Sequence, residues 1–385
     1  MFYNNQQHWT PSRIRAYLRG VPQDRLILLD YFCDFKEIWK ITDQFYGQPY
    51  IWCYLGNFGG NSMLAGNMKD VSEKIDQVIR NGGSNFKGIG STLEGFDMNE
   101  FMYEYVFSKA WATGQDDESY IRSMADSRVG KIFPAAQKAW NILCHKIYVQ
   151  PTSCCQSTLI NARPCLDGHG SWVTDPRISY SQSDLLSAWK LLLSVRGVRR
   201  SSLEFDDVNI GRQVLGNYFL TVRDEFTRAY RSGNLPELEK KGRKMKEILT
   251  DMEQLLDCHP SFSLKRWIDD ARDMGKSPEE KNYYERNART LITVWGDSPS
   301  LTDYANRAWA ELTEQYYAVR WNHFIDSVIS AAGSGKSFDE KAFLKWSQSF
   351  ERQWIDPSHT IHYHEGGDGI AIARKMYEKY ADKIK

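Results

Sequence analysis

Long apolar runs are missing from this chain: no stretch approaches the ~20 consecutive apolar residues that a membrane-spanning helix needs. The opening segment, MFYNNQQHWTPSRIRAYLRG, also lacks the basic, apolar, small-residue order of a secretion signal. A membrane partner is therefore not expected. Charge of one sign is equally scarce, because 49 basic residues stand against 49 acidic ones. Without a net field, nothing draws in a nucleic acid or an anionic lipid surface, and a nucleic-acid partner is not expected either. The cysteines, Cys33, Cys53, Cys144, Cys154, Cys155, Cys165 and Cys258, lack the C-x-x-C spacing of a zinc site. Most read as buried thiols. The close set Cys144, Cys154, Cys155 and Cys165 leaves room for one disulfide, with its pairing open.

What is present is apolar bulk and aromatic surface. With 385 residues and 42% hydrophobic content the chain can bury a sizeable core, enough for two domains or for one large domain and part of another. Aromatic residues make up 14%, including 13 Trp and 21 Tyr, and flat rings with a polar edge suit stacking on sugar faces as well as core packing.

Along the chain, Phe2-Tyr3-Asn4 looks like the end of a strand. TPSRIRAYLRG then reads as a helix capped by Thr10, with Pro11 at its first position and Gly20 at its stop. Strand-length apolar runs follow at Leu26–Tyr31 and Pro49–Leu55, then a helix near Val71–Arg80, then a Gly-punctuated strand from Phe86 that ends on Glu94. Runs buried on both faces and alternating with helices predict a parallel sheet. They are too few to close an eight-stranded barrel, so residues 1–115 read as the C-terminal part of a longer α/β domain. Beyond them apolar residues recur at helical spacing, as in Leu185, Trp189 and Leu192, or Leu215, Phe219, Val222 and Phe226. Residues 116–385 are expected to be all-α, with Ser277-Pro-Glu-Glu280 a capping box.

The chemistry-bearing candidates lie mostly in the α/β part. A carboxylate where a strand feeds a loop, as at Glu94, sits where a packed backbone can present a reactive group to a substrate. Asn99, Glu100 and Tyr103 crowd the next turns, and on this stretch alone Glu94 reads as a solvated loop acid before it reads as a catalytic one. Between the second strand and its helix, Gly56-Asn-Phe-Gly-Gly-Asn-Ser62 offers close backbone approach and the paired donors and acceptors of Asn57 and Asn61. Three other features do not carry a function. Gly333-Ser-Gly-Lys-Ser337 has Ser330 where a phosphate-binding loop needs Gly, and its setting is helical. His359, His362 and His364 read as solvated loop histidines, and Ser62 has no His and Asp partners at a recognisable spacing.

Three separated stretches, in order, carry a resemblance: Gln48-Pro-Tyr-Ile-Trp-Cys-Tyr-Leu-Gly-Asn-Phe-Gly-Gly-Asn61; Gly88-Ile-Gly-Ser-Thr-Leu-Glu-Gly95 with Asn99-Glu100 and Tyr103; and Leu291-Ile-Thr-Val-Trp-Gly296 with Asp303-Tyr304-Ala305-Asn306. Thr10-Pro-Ser-Arg13, Leu28-Leu-Asp30, Arg163-Pro164 and Ser187-Ala-Trp-Lys-Leu-Leu192 add to it. Over nearly its whole length the chain resembles glycoside hydrolase family 89, the α-N-acetylglucosaminidases. The resemblance implies a TIM-type barrel, of which residues 1–115 would be the C-terminal part, followed by an α-helical domain.

It further implies an exo-acting retaining hydrolase that removes terminal α-linked N-acetylglucosamine, with heparan-type glycans as a substrate class. Two carboxylates would act, with no metal and no cofactor. Glu94 falls on the family's nucleophile; Trp295, Leu301 and Tyr304 fall on positions that wall the sugar pocket, with Asn57, Asn61 and Tyr103 expected to bind substrate. The family's acid/base glutamate belongs to barrel strands that would precede Met1. The chain thus reads as a C-terminal fragment of a protein expected to be secreted, periplasmic or lysosomal, with a homo-oligomer of the full-length form left open. The competing reading is a catalytically inactive sugar-binding or interaction fragment.

Overall fold

The computed structural model describes residues 2, 5, 7–60, 62–95, 99–112, 114–149, 157–296 and 299–384. Its N-terminal part holds a three-stranded sheet of β1 (Leu28–Asp30), β2 (Tyr50–Tyr54) and β3 (Phe86–Ser91), in that order and parallel throughout. Parallel neighbours need crossover connections. These are supplied by α2 (Ile38–Ile41) between β1 and β2 and α3 (Met68–Asn81) between β2 and β3, while α1 (Pro11–Leu18) precedes the sheet and α4 (Glu100–Trp111) follows β3. The strands are shorter than their apolar runs because Leu26 and Leu55 lie beyond the paired register, and Tyr3 and Asn4 fall outside the described residues. Trp52, Tyr50 and Tyr54 are buried in the central strand, as a sheet covered on both faces requires. The outer edge of β1 is different: Ile27 and Leu29 are more than half exposed, beside an apolar hollow lined by Tyr17, Val21 and Leu28.

The rest is helical: α5 (Asp117–Val129), α6 (Pro134–Ile142), α7 (Gln182–Leu193), α8 (Ser201–Arg231), α9 (Leu235–Leu256), α10 (Leu264–Asp273), α11 (Pro278–Leu291), α12 (Ala318–Gly333), α13 (Glu340–Trp354) and α14 (Gly369–Tyr380). With 31 residues, α8 is the axis, about 45 Å long at ~1.5 Å per residue, and packs on α7, α9 and α14. The stripes at Leu215, Phe219, Val222 and Phe226 are its buried face.

Midway along α8, Gln213 accepts from the Leu64 amide at 3.0 Å and Arg212 donates to the Ser62 carbonyl, which ties the helical part to the loop after β2. Local signals held at the ends. Thr10 Oγ1 accepts from the Arg13 amide and Ser277 Oγ from the Glu280 amide at 3.2 Å, although Glu280 returns its own carboxylate to the Lys276 amide, one residue early for a capping box. Gly333 ends α12 in a turn that no strand precedes, so the Gly-Ser-Gly-Lys-Ser run is a helix stop. Cys144 and Cys165 are free thiols, while Cys154 and Cys155 lie outside the described residues. Among the described residues no helix is long and apolar enough to cross a membrane.

A group of buried acids makes this fold pH-sensitive. Glu253 on α9 accepts from the Glu311 and Glu314 amides at 2.6 and 3.0 Å and lies beside the Glu314 carboxylate and the His364 ring. Burial pushes its carboxyl from the ordinary 4.5 up to about 8, and burial likewise lifts Glu311 and, beside the sheet, Asp30 to about 6. His364, hydrogen-bonded to Glu314 at 2.9 Å, is raised by that bond. Each of these groups holds its proton more tightly folded than unfolded, so between pH 5 and 8 they make stability fall as pH rises, opposed by His259, His323 and His359, whose burial lowers their proton affinity. The urea midpoint should therefore be highest near pH 5 and drop by pH 8, each tenfold change in proton affinity being worth about 1.4 kcal/mol. In Glu253→Gln the decline should flatten. A midpoint that climbs across this range would contradict the assignment.

Candidate active site

The end of β3 is fixed before Glu94 is reached. Between Tyr50 and Trp52 the pairing with Phe86 and Ile89 takes up one extra residue on β3, a bulge at Gly88, whose φ of 138° favours glycine. Beyond it, the Thr92 amide and Ser91 hydroxyl both donate to the Tyr54 carbonyl, at 3.1 and 2.9 Å, and Thr92 Oγ1 donates to the Tyr31 carbonyl. The chain leaving the sheet is thus tied to the ends of β2 and β1. Glu94 stands in the open at this point, and its Oε2 accepts from two directions: from the Gly59 amide at 2.8 Å and from the Tyr304 hydroxyl.

Gly59 belongs to the Gly-Asn loop after β2. Asp34 accepts from the Leu55 and Gly56 amides at 2.9 and 3.2 Å, and Tyr103 donates to the Leu55 carbonyl at 2.7 Å, so the loop is held from both sides. A Cβ on Gly59, where φ is 61°, would lie 2.1 Å from the Tyr304 carbonyl oxygen. Only glycine lets the helical part come this close. Asn57 is buried, its carbonyl accepting from the Gly60 amide, and Tyr103 stands behind the loop with its ring against Tyr54. Asn61 lies outside the described residues.

The far wall comes from residues 292–296 and 299–307, about two hundred positions downstream. Trp295 and Tyr304 rings meet at 4.8 Å, and the Tyr304 amide donates to the Leu301 carbonyl at 3.0 Å, so Trp295, Leu301 and Tyr304 gather on one side of Glu94. Trp295 and Asp303 both have positive φ, near 61° and 63°. Such backbone costs on the order of 1–3 kcal/mol per residue and persists only where surroundings hold it. The hold is a buried ionic quartet. Arg320 grips both oxygens of Asp303 at 3.0 and 3.1 Å and reaches Glu351 at 2.9 Å; Arg163 binds Glu351 through Nε and Nη2 and the Thr302 hydroxyl at 3.1 Å. Burial alone would raise the Glu351 carboxyl, but the Arg163 hydrogen bonds and the Arg320 charge hold it below the usual range.

One further residue closes the seam. Arg307 is buried and donates to the carbonyls of Gly59 and Ala305 at 2.7 Å and of Asn306 at 3.0 Å, while its guanidinium lies where a Cβ on Gly95 would fall. It therefore clasps the Gly loop and the residue after Glu94 to the helical part. Nothing in the local sequence marks it, apart from its place directly after the Asp303–Asn306 stretch.

Comparison with known proteins sorts this arrangement into a class. Residues 1–113 match the family model described as the α-N-acetylglucosaminidase (NAGLU) TIM-barrel domain, and residues 120–379 the one described as its C-terminal domain. Human α-N-acetylglucosaminidase is 30% identical over 389 aligned residues, covering 99% of this chain and 51% of that protein. A family 89 glycoside hydrolase from Clostridium perfringens, solved in complex with PUGNAc, superposes with a TM-score of 0.84 at 26% identity, over 94% of this chain and 43% of that one. A form of the same enzyme with two glutamates changed to glutamine, in complex with its substrate GlcNAc-α-1,4-galactose, gives 0.82 at 25% identity, over 95% and 43%. The relatives are glycoside hydrolases. The chain belongs to the α-N-acetylglucosaminidase family, glycoside hydrolase family 89, and spans about half the length of the relatives it matches.

Proposed function

We propose that this chain is the nucleophile-bearing portion of a retaining exo-α-N-acetylglucosaminidase, with residues 1–115 the C-terminal part of a TIM-type barrel and 116–385 an α-helical domain. One observation carries the reading: a strand-end carboxylate, Glu94, meets a tyrosine brought from the helical part, inside a wall of Trp295, Leu301 and Tyr304. In this mechanism Glu94 attacks the anomeric carbon of the terminal sugar, forming a glycosyl-enzyme that water then opens with help from a second carboxyl about 5 Å away. The Gly59 amide and the Tyr304 hydroxyl hold the attacking carboxylate in one rotamer and give it two donors to lean on as its charge changes.

Neither Asp34 nor Asp30 is suited to be the second carboxyl. Asp34 holds the Leu55 and Gly56 amides, and Asp30 is buried on the Trp39 amide at 2.9 Å. That group belongs, in this reading, to barrel strands outside residues 1–385. Natural glycosides, whose leaving groups need a proton, should then be hydrolysed little by this chain alone. The substrate is a glycan ending in α-linked GlcNAc, heparan-type chains included, met in a secreted, periplasmic or lysosomal setting. A fluorinated sugar with an activated leaving group tests the assignment when given to a polypeptide that joins these residues to the missing strands. The label should be found on Glu94 by peptide mass mapping. Labelling of Glu100 would overturn it.

A further inference from the structure

Away from Glu94, the turn between α7 and α8 and the start of α14 enclose a hollow of about 680 Å³ lined by four arginines, Arg196, Arg199, Arg200 and Arg374, with Glu204 and Asp368 beside them. Two of the guanidinium groups are held together. Arg374 donates through Nε to the Leu193 carbonyl and through Nη2 to the Val195 carbonyl, both at 3.2 Å, and Arg196 Nη1 donates to the same two oxygens. These oxygens lie at the end of α7, where a cation is favoured, but a helix end carries only about half a unit of negative charge against two full positive ones. Each guanidinium also keeps N–H groups that these bonds do not use.

The other charges do not settle the account. Arg199 reaches Asp368 at 3.4 Å, Arg200 has no ion pair or side-chain hydrogen bond among the described residues, and Glu204 accepts from the Gly369 amide at 2.7 Å. Asp207 lies near Arg196 and Arg374 on α8, but burial, and then the charge of Asp206, push its carboxyl well up and favour its neutral form. Four cations against two anions leave the lining with two positive charges in excess. The N-terminus of α8, with Arg200 at the cap position and no side chain capping it, adds to that excess. The hollow is built from the helical part alone: α14 packs on α7, α8 and α9, and the loop after β2 meets α8 at Arg212 and Gln213, about 16 Å along the axis from Ser201 at ~1.5 Å per residue.

We propose that this hollow binds the tetrahedral oxyanions of sulfate or phosphate: one dianion, or two singly charged sulfate esters on neighbouring sugars. A planar guanidinium donates two parallel bonds to two oxygens of such a group, and converging arginines then hold it from several sides. The chemistry is the same whether the oxyanion is free or carried on a sulfated glycan. The site shares no residue with the surroundings of Glu94 and does not rest on the glycosidase reading.

Calorimetry on the 385-residue chain, at an ionic strength held constant with sodium chloride, tests it with inorganic sulfate, inorganic phosphate and a heparin tetrasaccharide. Arg200→Gln and Arg374→Gln should each weaken sulfate binding about fivefold to tenfold, since each removes charge-assisted donors. Arg231→Gln, at the far end of α8 and paired with Asp167, should leave it within about twofold. Arg200→Gln should keep the melting temperature unchanged, and it carries the test if Arg374→Gln, which also frees the end of α7, fails to fold. A tetrasaccharide that binds at least tenfold tighter than sulfate, and weakens in the same variants, supports the site with a sulfated glycan as its source; equal affinity supports it with a free oxyanion. No uptake of any probe overturns the proposal, and so does sulfate binding that is unchanged in Arg200→Gln. An equal loss in Arg231→Gln also overturns it, because the attraction would then belong to the surface as a whole.

Discussion

On the proposed glycosidase reading, replacing Glu94 by glutamine, in a polypeptide extended by the barrel strands that reading calls for, is expected to abolish turnover of an aryl α-N-acetylglucosaminide. An amide oxygen is too weak a nucleophile to displace even a good leaving group, and loss of the nucleophile in an acyl-transfer enzyme costs about 10⁶-fold in rate. The fold should be untouched. Glutamine keeps a carbonyl oxygen that accepts from the Gly59 amide and the Tyr304 hydroxyl, so the seam between sheet and helices keeps its contacts, and the exposed side chain removes no packed volume. Melting temperature and iminosugar affinity are the controls. Full activity in Glu94→Gln would show that the carboxylate at the end of β3 only shapes the loop.

The second large effect is structural. Arg320→Ala should destabilise the protein by about 3–5 kcal/mol, because it strands Asp303 and Glu351, both buried, with Arg163 as their remaining cation in the quartet. Arg320→Lys should recover only part of this, since an ammonium cannot grip both oxygens of Asp303 as the guanidinium does. The consequence should reach the site: Asp303 at its positive φ directly precedes Tyr304, and once the carboxylate is released that strained turn keeps only its backbone ties to Thr293 and Asn306 and the Arg163–Thr302 bond. Denaturant unfolding gives the stability, and the emission of Trp295, which lies against Tyr304, should shift before the global transition. A loss under 1 kcal/mol would mean that water reaches the quartet.

Much of the α/β part was legible because its signals are local. Apolar runs of strand length bounded by Gly and Asn, and helices marked by Thr10 with Pro11, are written in neighbouring residues, and the parallel order follows from their alternation with helices. Strand limits were less so, since the register of β1 against β2 is set by which residues find partners across the sheet, and Leu26 and Leu55 do not. Glu94 stood out because the strand was expected to end on it; β3 ends earlier, at Ser91, and hydrogen bonds of Ser91 and Thr92 to the Tyr54 and Tyr31 carbonyls carry the chain on to Glu94. Trp295, Leu301 and Tyr304 had no such local mark, and only the resemblance nominated them. Asn57 and Tyr103 were expected to bind substrate; in the structure Tyr103 donates to the Leu55 carbonyl behind the Gly loop and Asn57 is buried within that loop.

By itself, then, the sequence determined the elements: three parallel strands' worth of apolar runs, a helical remainder, and a carboxylate held at a strand end. Only the tertiary structure decided what that carboxylate faces. Arg307, Arg320, Glu351 and Phe58, set edge-on against Phe32, act across tens to hundreds of residues of chain. Their pairing depends on the fit of buried charge and ring surface once two parts of the molecule have met, a quantity that no local window of sequence contains. The 2.1 Å that a Cβ on Gly59 would leave to the Tyr304 carbonyl is the same kind of fact: a loop glycine reads as freedom in the sequence and becomes a contact in the fold.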